Sequence, residues 1–246
     1  MGLLTDQVVF VTGGSRGLGA VICQVLAREG ADVAFNYSRA EEAAAATRAA
    51  IEAEGRRAWA FKTSVLDRDG LRAIARQLER EAGHLDVLVN NAGVGQVVPL
   101  ALMEEEDWDR MMSINVKGAF LATQAVMRGM IRRRQGRILN ISSLAGVKMM
   151  QAPVHYATAK AALKGFTESL AKEIGRYGIT VNCLAPGVLE EGVSVNLPEK
   201  RLAEYLRNCA LGRQGTFQEC AEVVAFLVSE RNSYMNGATI VLDGAV

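Results

Sequence analysis

The sequence lacks several features that would each direct it to a particular class of protein. Its four cysteines and two histidines show no CxxC pair or other metal-ligand spacing, which argues against a metal centre. The 28 basic residues are balanced by 27 acidic ones, so no strong field favours nucleic acid or an anionic membrane. No apolar run approaches the ~20 residues that span a bilayer, and the first residues lack a signal-peptide pattern. We therefore expect a cytoplasmic protein with reduced cysteines and with no metal, nucleic-acid or membrane partner.

Short apolar segments alternate along the chain with longer segments of helical period. Strands are predicted at 8–11, 33–35, 87–89, 138–141, 179–184 and 239–242, and helices at 41–54, 71–81, 107–134 and 156–174. This alternation predicts an α/β fold, a doubly wound parallel sheet with helices on both faces in three layers. Ser38-x-x-Glu41 predicts a capping box, and Gly55 and Gly178 predict helix ends. Because no linker or repeat interrupts the pattern, we predict a single domain over 1–246.

The first predicted strand leads into a glycine-rich loop, TGGSRGLG, at residues 12–19. In a parallel sheet such a loop brings a phosphate against the start of the next helix, where free N–H groups and the helix dipole favour negative charge. Glycine permits this close approach because it has no Cβ. The alternative is that these glycines only form an ordinary tight turn between a strand and a helix.

The end of the second predicted strand carries no carboxylate to bind the ribose hydroxyls of NAD. Arg39 stands there instead, and Arg16 lies in the loop, so both can pair with a 2′-phosphate. We infer NADP(H) as the cofactor. The alternative is that Arg39 is a solvated residue at a helix start.

A tyrosine and a lysine four residues apart, Tyr156 and Lys160, lie on one face of a predicted helix. A nearby ammonium group favours the phenolate, so we expect Lys160 to lower the pKa of Tyr156 from its usual value of about 10. Such a tyrosine exchanges a proton with a carbonyl or alcohol oxygen. Taken alone, the same spacing is also common on solvated helix faces.

Together these motifs resemble the short-chain dehydrogenase/reductase family. The resemblance rests on TGGSRGLG, Asn90-Asn-Ala-Gly93, Asn115, Ser143, Tyr156-x-x-x-Lys160 and Pro186-Gly187, in that order, and extends to Asp243-Gly244. It implies a Rossmann fold and the reduction of a carbonyl by a nicotinamide cofactor, whose pyrophosphate the glycine loop would hold.

The resemblance also implies a role for each matching residue. Ser143 would polarise the substrate oxygen, and Tyr156 would be the general acid in reduction. Lys160 would bind the nicotinamide ribose, and Asn115 would hold a water in a proton relay, unless its amide is simply satisfied by backbone. The predicted cofactor-binding residues are Gly13, Ser15, Arg16, Gly17, Leu18, Gly19, Arg39, Ser64, Val65, Asn90, Ala92, Gly93, Tyr156, Lys160, Pro186, Gly187 and Leu189.

Two positions depart from the family pattern. Ser64 stands where many relatives carry Asp or Asn beside the adenine, and its hydroxyl can still make that contact. Glu191 stands where many relatives carry Thr against the nicotinamide carboxamide. An acid there would either bind the amide NH₂ or point outward.

Within the family the chain is most similar to 3-oxoacyl-(acyl-carrier-protein) reductases. The resemblance implies a carrier-protein docking site on basic residues near the active-site mouth, and we predict Arg134 and Arg176 for it, with Ser143 and Tyr156 at the substrate. The run Arg132 to Arg134 also suits an ordinary helix C-terminus, and Tyr177 occupies the second docking position of the family. A substrate lid is expected at about 190–211, with apolar residues Val193, Val195, Leu197, Leu202, Tyr205 and Leu206. Met149 and Met150 would face it or fill the core.

We therefore expect NADPH-dependent reduction of a 3-oxoacyl thioester, carried on acyl carrier protein and of fatty acid or polyketide type. The alternative is a reductase of a free ketone, steroid or sugar, and a remote one is a non-catalytic nucleotide-binding regulator. The resemblance also implies a homotetramer built from the helices at 107–134 and 156–174 and the last strand. The apolar stretches 119–122 and 161–163 would form that interface or face the domain's own sheet.

Overall fold

A computed structural model describes residues 2–192 and 197–246. Within these ranges the chain forms one parallel sheet of seven strands, in the order β3-β2-β1-β4-β5-β6-β7. The strands are β1 Val8–Val11, β2 Asp32–Tyr37, β3 Ala58–Lys62, β4 Val87–Asn90, β5 Gly136–Ile141, β6 Ile179–Pro186 and β7 Thr239–Leu242. The predicted α/β fold with a doubly wound parallel sheet is confirmed.

Helices cover both faces of this sheet. They are α1 Gly17–Arg28, α2 Glu41–Ala53, α3 Arg68–Ala82, α4 Glu105–Met112, α5 Gly118–Arg133, α6 Val154–Ile174, α7 Glu199–Asn208 and α8 Phe217–Leu227. One apolar core lies between the sheet and α1, α2 and α8, and a second lies between the sheet and α3, α5 and α6. The strand β1 is buried along its whole length because Val9 and Val11 enter the first core while Val8 and Phe10 enter the second.

The strand order changes direction between β1 and β4, which are direct neighbours. In open parallel sheets, ligands bind in the crevice at the carboxyl ends of the strands at such a point. The segments that follow β1, β4, β5 and β6 all leave the sheet at this edge. They carry the glycine loop, Asn90 to Gly93, Ser143 and Pro186 to Leu189.

The structure differs from the sequence-based elements in three places. β3 is not predicted, since its sequence AWAFK is short and only partly buried at the sheet edge. The predicted helix 107–134 is two helices joined by a π-helical turn, Ser113–Lys117. The capping box is wrong because α2 begins at Glu41 with Ala40 as its N-cap and without a side-chain cap. The Glu41 carboxylate accepts from Lys62 Nζ of β3 at 2.8 Å instead.

Other local predictions agree with the structure. Gly55 and Gly178 follow helix ends with positive φ angles of 74° and 72°, as predicted. All four cysteines are buried and free. In residues 2–192 and 197–246, no helix has both the length and the apolar character needed to cross a bilayer.

Candidate active site

The glycine loop turns tightly between β1 and α1. Gly13 has a φ of +68° and Gly17 a φ of +57°, a region that favours glycine. A Cβ at Gly19 would lie 2.3 Å from the Gly13 carbonyl oxygen, and one at Gly13 would lie 3.0 Å from Ala92 Cα. The loop is thus packed backbone against backbone on the segment that follows β4, which leaves a cradle of the kind that a pyrophosphate fills.

Two side chains that received no role in the sequence-based prediction hold this loop. Asn36 accepts from the Gly13 N–H at 3.2 Å and donates to the Thr63 carbonyl at 2.7 Å. The Thr12 hydroxyl oxygen accepts from Asn91 N and Ala92 N, both at 3.0 Å. The sequence signal was available, because a polar residue directly after a buried apolar strand needs a hydrogen-bond partner.

The two arginines predicted to meet a 2′-phosphate are exposed at the same edge of the sheet. Arg16 is the N-cap of α1, and Arg39 lies in the bend after β2, the strand that pairs with β1. No ion pair joins either guanidinium to another residue in the described part of the chain. Both are therefore available to an anionic ligand.

The adenine-side residues are more constrained than the sequence suggested. The Ser64 hydroxyl oxygen accepts from Leu66 N at 3.2 Å, and Val65 is buried against Gly118, where a Cβ would come within 2.9 Å of its Cγ2. Ser15 is buried, and its carbonyl accepts from the Thr47 hydroxyl at 3.1 Å. These contacts fix the wall of the site on the β2 and β3 side.

Asn90 ends β4, and its side chain is turned into the interior of the domain. It is 3 % exposed, and its Nδ2 donates to Thr123 Oγ1 at 3.0 Å and to Asn140 Oδ1 at 2.9 Å. Asn140 in turn donates to Thr167 Oγ1 at 2.9 Å. The Asn90 side chain is part of this buried polar ladder, and a contact of Asn90 with the adenosine half stays a prediction.

Ser143, Tyr156 and Lys160 come together at the carboxyl end of β5. Ser143 follows that strand, and the other two lie in the first turns of α6. The Ser143 hydroxyl lies close enough to the Tyr156 hydroxyl to influence the pKa of that phenol. Lys160 Nζ donates to the Ile141 carbonyl at 2.9 Å and lies 5.8 Å from the centroid of the Tyr156 ring.

Burial controls the ionisation of this pair. Burial raises the pKa of Tyr156, and the hydrogen bond with Ser143 opposes that rise. Burial lowers the pKa of Lys160 to about 8. The expectation that Lys160 lowers the pKa of Tyr156 is therefore wrong for this structure, because loss of water favours the neutral form of both groups. A protonated phenol next to Ser143 is suited to give a proton to a carbonyl oxygen.

Asn115 lies in the π-helical turn between α4 and α5 and is 1 % exposed. Its Nδ2 donates to the Met111 carbonyl at 3.0 Å and to the Val94 carbonyl at 3.1 Å, and its Oδ1 accepts from Val94 N at 3.3 Å. A Cβ on Gly93 would come within 2.6 Å of Asn115 Oδ1 and 3.5 Å of Lys160 Nζ. The amide is satisfied by backbone, as the alternative interpretation expects, and it lies next to the lysine. A water relay through it stays a prediction.

A family model described as short chain dehydrogenase matches residues 7–202 of this chain. The chain belongs to that family. It is an oxidoreductase that acts on a CH–OH or ketone group, and its family binds a nicotinamide cofactor.

Curated relatives match the whole length of the dehydrogenase. A 3-oxoacyl-(acyl-carrier-protein) reductase of Chlamydia trachomatis is 36% identical, with 100% of this chain and 99% of the relative covered. The enzyme of the same name from Escherichia coli is also 36% identical, with 98% and 97% covered.

Solved structures of the same fold are more varied in name. A short chain dehydrogenase from Burkholderia cenocepacia in complex with NADP is 35% identical, with a TM-score of 0.91 over 98% of each chain. Levodione reductase is 31% identical, with a TM-score of 0.92 over 98% of this chain and 97% of its own. The family and fold are thus shown, while the names do not agree on one substrate.

Tyr205 of α7 holds the segment predicted to meet the nicotinamide. Its hydroxyl accepts from Val188 N at 3.1 Å and donates to the Asp243 carbonyl at 3.2 Å. A Cβ on Gly187 would lie 2.3 Å from the same oxygen, so Gly187 is needed for this approach. The sequence analysis placed Tyr205 among the apolar lid residues and missed this hydrogen-bonding role.

We expect Tyr205→Phe to destabilise the dehydrogenase by about 1–3 kcal/mol, because the buried Val188 N–H loses its acceptor. The melting temperature should fall by several degrees, and KM for the nicotinamide cofactor should rise. Thermal unfolding compares this variant with Tyr234→Phe, whose side chain is 99 % exposed. Equal melting temperatures of the two variants would contradict the role of the Tyr205 hydroxyl in holding this segment.

Glu191 and the two methionines lie on the outside of the site. Glu191 is exposed and lines a surface cleft together with Gly17, Val21 and Phe217. Met149 is fully exposed and Met150 partly so, so neither fills the core. The predicted lid residues Val193 and Val195 lie outside the described residues.

The predicted carrier-docking pair lies at the wrong edge of the sheet. Arg134 and Arg176 are neighbours, with Arg134 Nη2 donating to the Arg176 carbonyl at 2.9 Å. They precede β5 and β6, whereas Ser143 follows β5. Six strand residues at ~3.3 Å each put roughly 20 Å between Arg134 and Ser143. The pair is therefore not at the mouth of its own chain's active site, and the structure does not support the predicted docking position.

Proposed function

We propose that this chain reduces a 3-oxoacyl thioester to the 3-hydroxyacyl form with NADPH, on an acyl carrier protein. The observation that carries the proposal is the half-buried pair of hydroxyls, Ser143 and Tyr156, which lie beside each other at the carboxyl end of β5, where both could donate to one carbonyl oxygen. The full-length similarity to reductases of that name supports the substrate class. Fatty acid and polyketide intermediates both fit this chemistry.

NADP(H) is the proposed cofactor because of the sheet edge that would hold it. The glycine cradle would receive the pyrophosphate, and the exposed guanidinium groups of Arg16 and Arg39, which form no ion pair with any described residue, would receive the 2′-phosphate. When bound, the cofactor supplies the hydride for the carbonyl carbon. The chain's own residues position the carbonyl and supply the proton.

In the proposed mechanism Ser143 donates a hydrogen bond to the substrate oxygen and Tyr156 transfers its proton to it. Because burial keeps the phenol protonated, Tyr156 is ready to act as the acid in reduction. Lys160 would bind the ribose with an ammonium group whose pKa of about 8 keeps it mostly charged at neutral pH. Asn115 would position a water beside Lys160 for return of the proton.

The lid proposed at about 190–211 would cover the substrate. In its described part, Tyr205 and Leu206 of α7 pack with Leu144 and Val147, the residues that follow the catalytic strand, and with Val188. The exposed side chains of Met149 and Met150 give this entrance an apolar rim, which suits an acyl chain better than a free sugar.

The oligomeric state and the cellular compartment are proposed from the resemblance to the family. We propose a homotetramer, with Phe120 of α5 and Val241 of β7 as apolar residues that stay exposed in one chain. The neighbouring Ala119, Leu121, Ala122 and Leu163 are buried in the chain's own domain, so they do not serve the interface. Four buried, free cysteines are in keeping with a reducing compartment such as the cytoplasm.

We expect absorbance at the nicotinamide band to fall when the protein is mixed with NADPH and acetoacetyl thioester. The rate should be higher with the carrier-bound thioester than with the coenzyme A form, and much higher with NADPH than with NADH. A panel of cyclic ketones, steroids and sugars serves as the comparison, since levodione reductase shares the fold. Turnover of that panel with inert thioesters would favour the free-ketone alternative.

A further inference from the structure

The catalytic helix α6 begins without the usual cap. Pro153 occupies its N-cap position and has no side-chain acceptor, although the first N–H groups of a helix have no partner within the helix. The Tyr156 N–H, in this first turn, donates to Nδ1 of His155 at 2.9 Å. The imidazole thus does what a serine or aspartate does at other helix starts.

This hydrogen bond fixes where the imidazole carries its proton. A backbone N–H only donates, so Nδ1 is the acceptor and the proton is on Nε2. The imidazole is fully buried, and Nε2 has no hydrogen-bond partner among the residues that the structure describes. Burial lowers the pKa of His155. A second proton, on Nδ1, would place two donors against each other and break the cap.

The charge that acts on His155 is the Asp107 carboxylate of α4, which opposes the effect of burial. Asp107 Oδ1 also accepts from Gln96 Nε2 at 2.8 Å, and Arg110 on the same helix favours its charged form. The other elements packed against α6 carry Lys117 in the π turn, Cys183 in β6, Arg137 in β5, and Arg176 and Tyr177 in the turn Gly175–Tyr177, while Leu144–Gly146 carries no ionisable side chain.

We propose that His155 is a positioning residue whose neutral imidazole caps α6 and holds the backbone of Tyr156, and that a second proton on the ring releases this hold in acid. The effect on turnover rests on Tyr156 acting as the proposed proton donor. The hydrogen bond from Tyr156 N–H to His155 Nδ1, and the tautomer of the His155 imidazole, do not depend on the proposed role of Tyr156 in the reaction.

The kinetic test compares two variants with any ketone or thioester that the protein reduces. His155→Asn keeps an acceptor, Oδ1, where Nδ1 lies, but does not titrate. It should keep kcat within about twofold of the parent value at neutral pH. The parent should lose kcat in acid, at a pH below histidine's usual pKa of about 6.5, and His155→Asn should not show this loss. His155→Leu removes the acceptor and should lower kcat about five- to tenfold with little change in KM. An unchanged kcat in His155→Leu, or an unchanged acid limb in His155→Asn, would overturn the proposal.

A second test needs no substrate. The chain has two histidines, so ¹⁵N-histidine labelling gives two imidazole spectra, and His84→Asn assigns them. His155 should show the Nε2–H tautomer and resist protonation to a pH below histidine's usual pKa of about 6.5. An Nδ1–H tautomer, or ordinary titration of His155, would show that the cap is absent. Failure here is distinct from failure of the proposed reaction, because the spectra do not require turnover.

Discussion

Tyr156→Phe should lower kcat about 10³-fold, within the range typical of a lost general acid. The ring and its packing are retained, but the proton that Tyr156 would give to the substrate oxygen is gone. Ser143 then has no hydroxyl beside it, and its own proton is much harder to transfer. Steady-state kinetics with the substrate found in the panel measures the loss.

Tyr177→Phe is the matched control for this variant. Tyr177 lies at the opposite edge of the sheet under the Arg176 guanidinium, so its hydroxyl has no role in the reaction. Both variants should bind NADPH and melt as the parent does. If Tyr156→Phe kept a tenth or more of the parent kcat, Tyr156 would not be the acid.

Removing both Arg16 and Arg39 should lower kcat/KM for NADPH by about 10²-fold or more and leave kcat/KM for NADH nearly unchanged. Hydrogen bonds to charged groups contribute about 1.5–3 kcal/mol each, and the two side chains would share one phosphate, so their effects need not add. Fluorescence titration with each cofactor separates binding from turnover.

Arg48→Ala serves as the control for the double variant. Arg48 is an exposed arginine of α2 that pairs with Glu52 at 2.8 Å, so its loss changes the net charge nearby without touching the proposed phosphate site. Equal losses with NADPH and NADH in the double variant would mean that the arginines serve the fold instead of the 2′-phosphate.

The sequence predicted best what is local in the chain. Tyr156 and Lys160 share a helix face because of their spacing, and Gly13 and Gly17 have the positive φ angles that a tight turn requires. Six of the seven strands follow from apolar runs, including the partly exposed edge strand β7, while the other edge strand, β3, was not predicted from its sequence AWAFK.

Properties that depend on distant parts of the chain were not predictable in this way. The pKa of Tyr156 is raised because the folded chain buries the phenol, whereas the spacing of Tyr156 and Lys160 alone predicted a lowered pKa. The hydrogen-bond partners of the Asn90 side chain could not be predicted, because they come from α5 and β5. Arg134 and Ser143 are close in sequence, but a whole strand separates them in space.

The polar ladder of Thr123, Asn90, Asn140 and Thr167 has a consequence for how the sheet assembles. Asn90 pairs with Asn140 across adjacent strands, and the hydrogen bond between their side chains requires that alignment. A slip of one residue between β4 and β5 would turn these side chains to the other face and leave buried amides unpaired, at about 1–3 kcal/mol per lost partner. Apolar strands alone would tolerate such a slip more easily. The ladder therefore selects a single strand register at the centre of the sheet, and with it the alignment of the segments that carry Gly93 and Ser143.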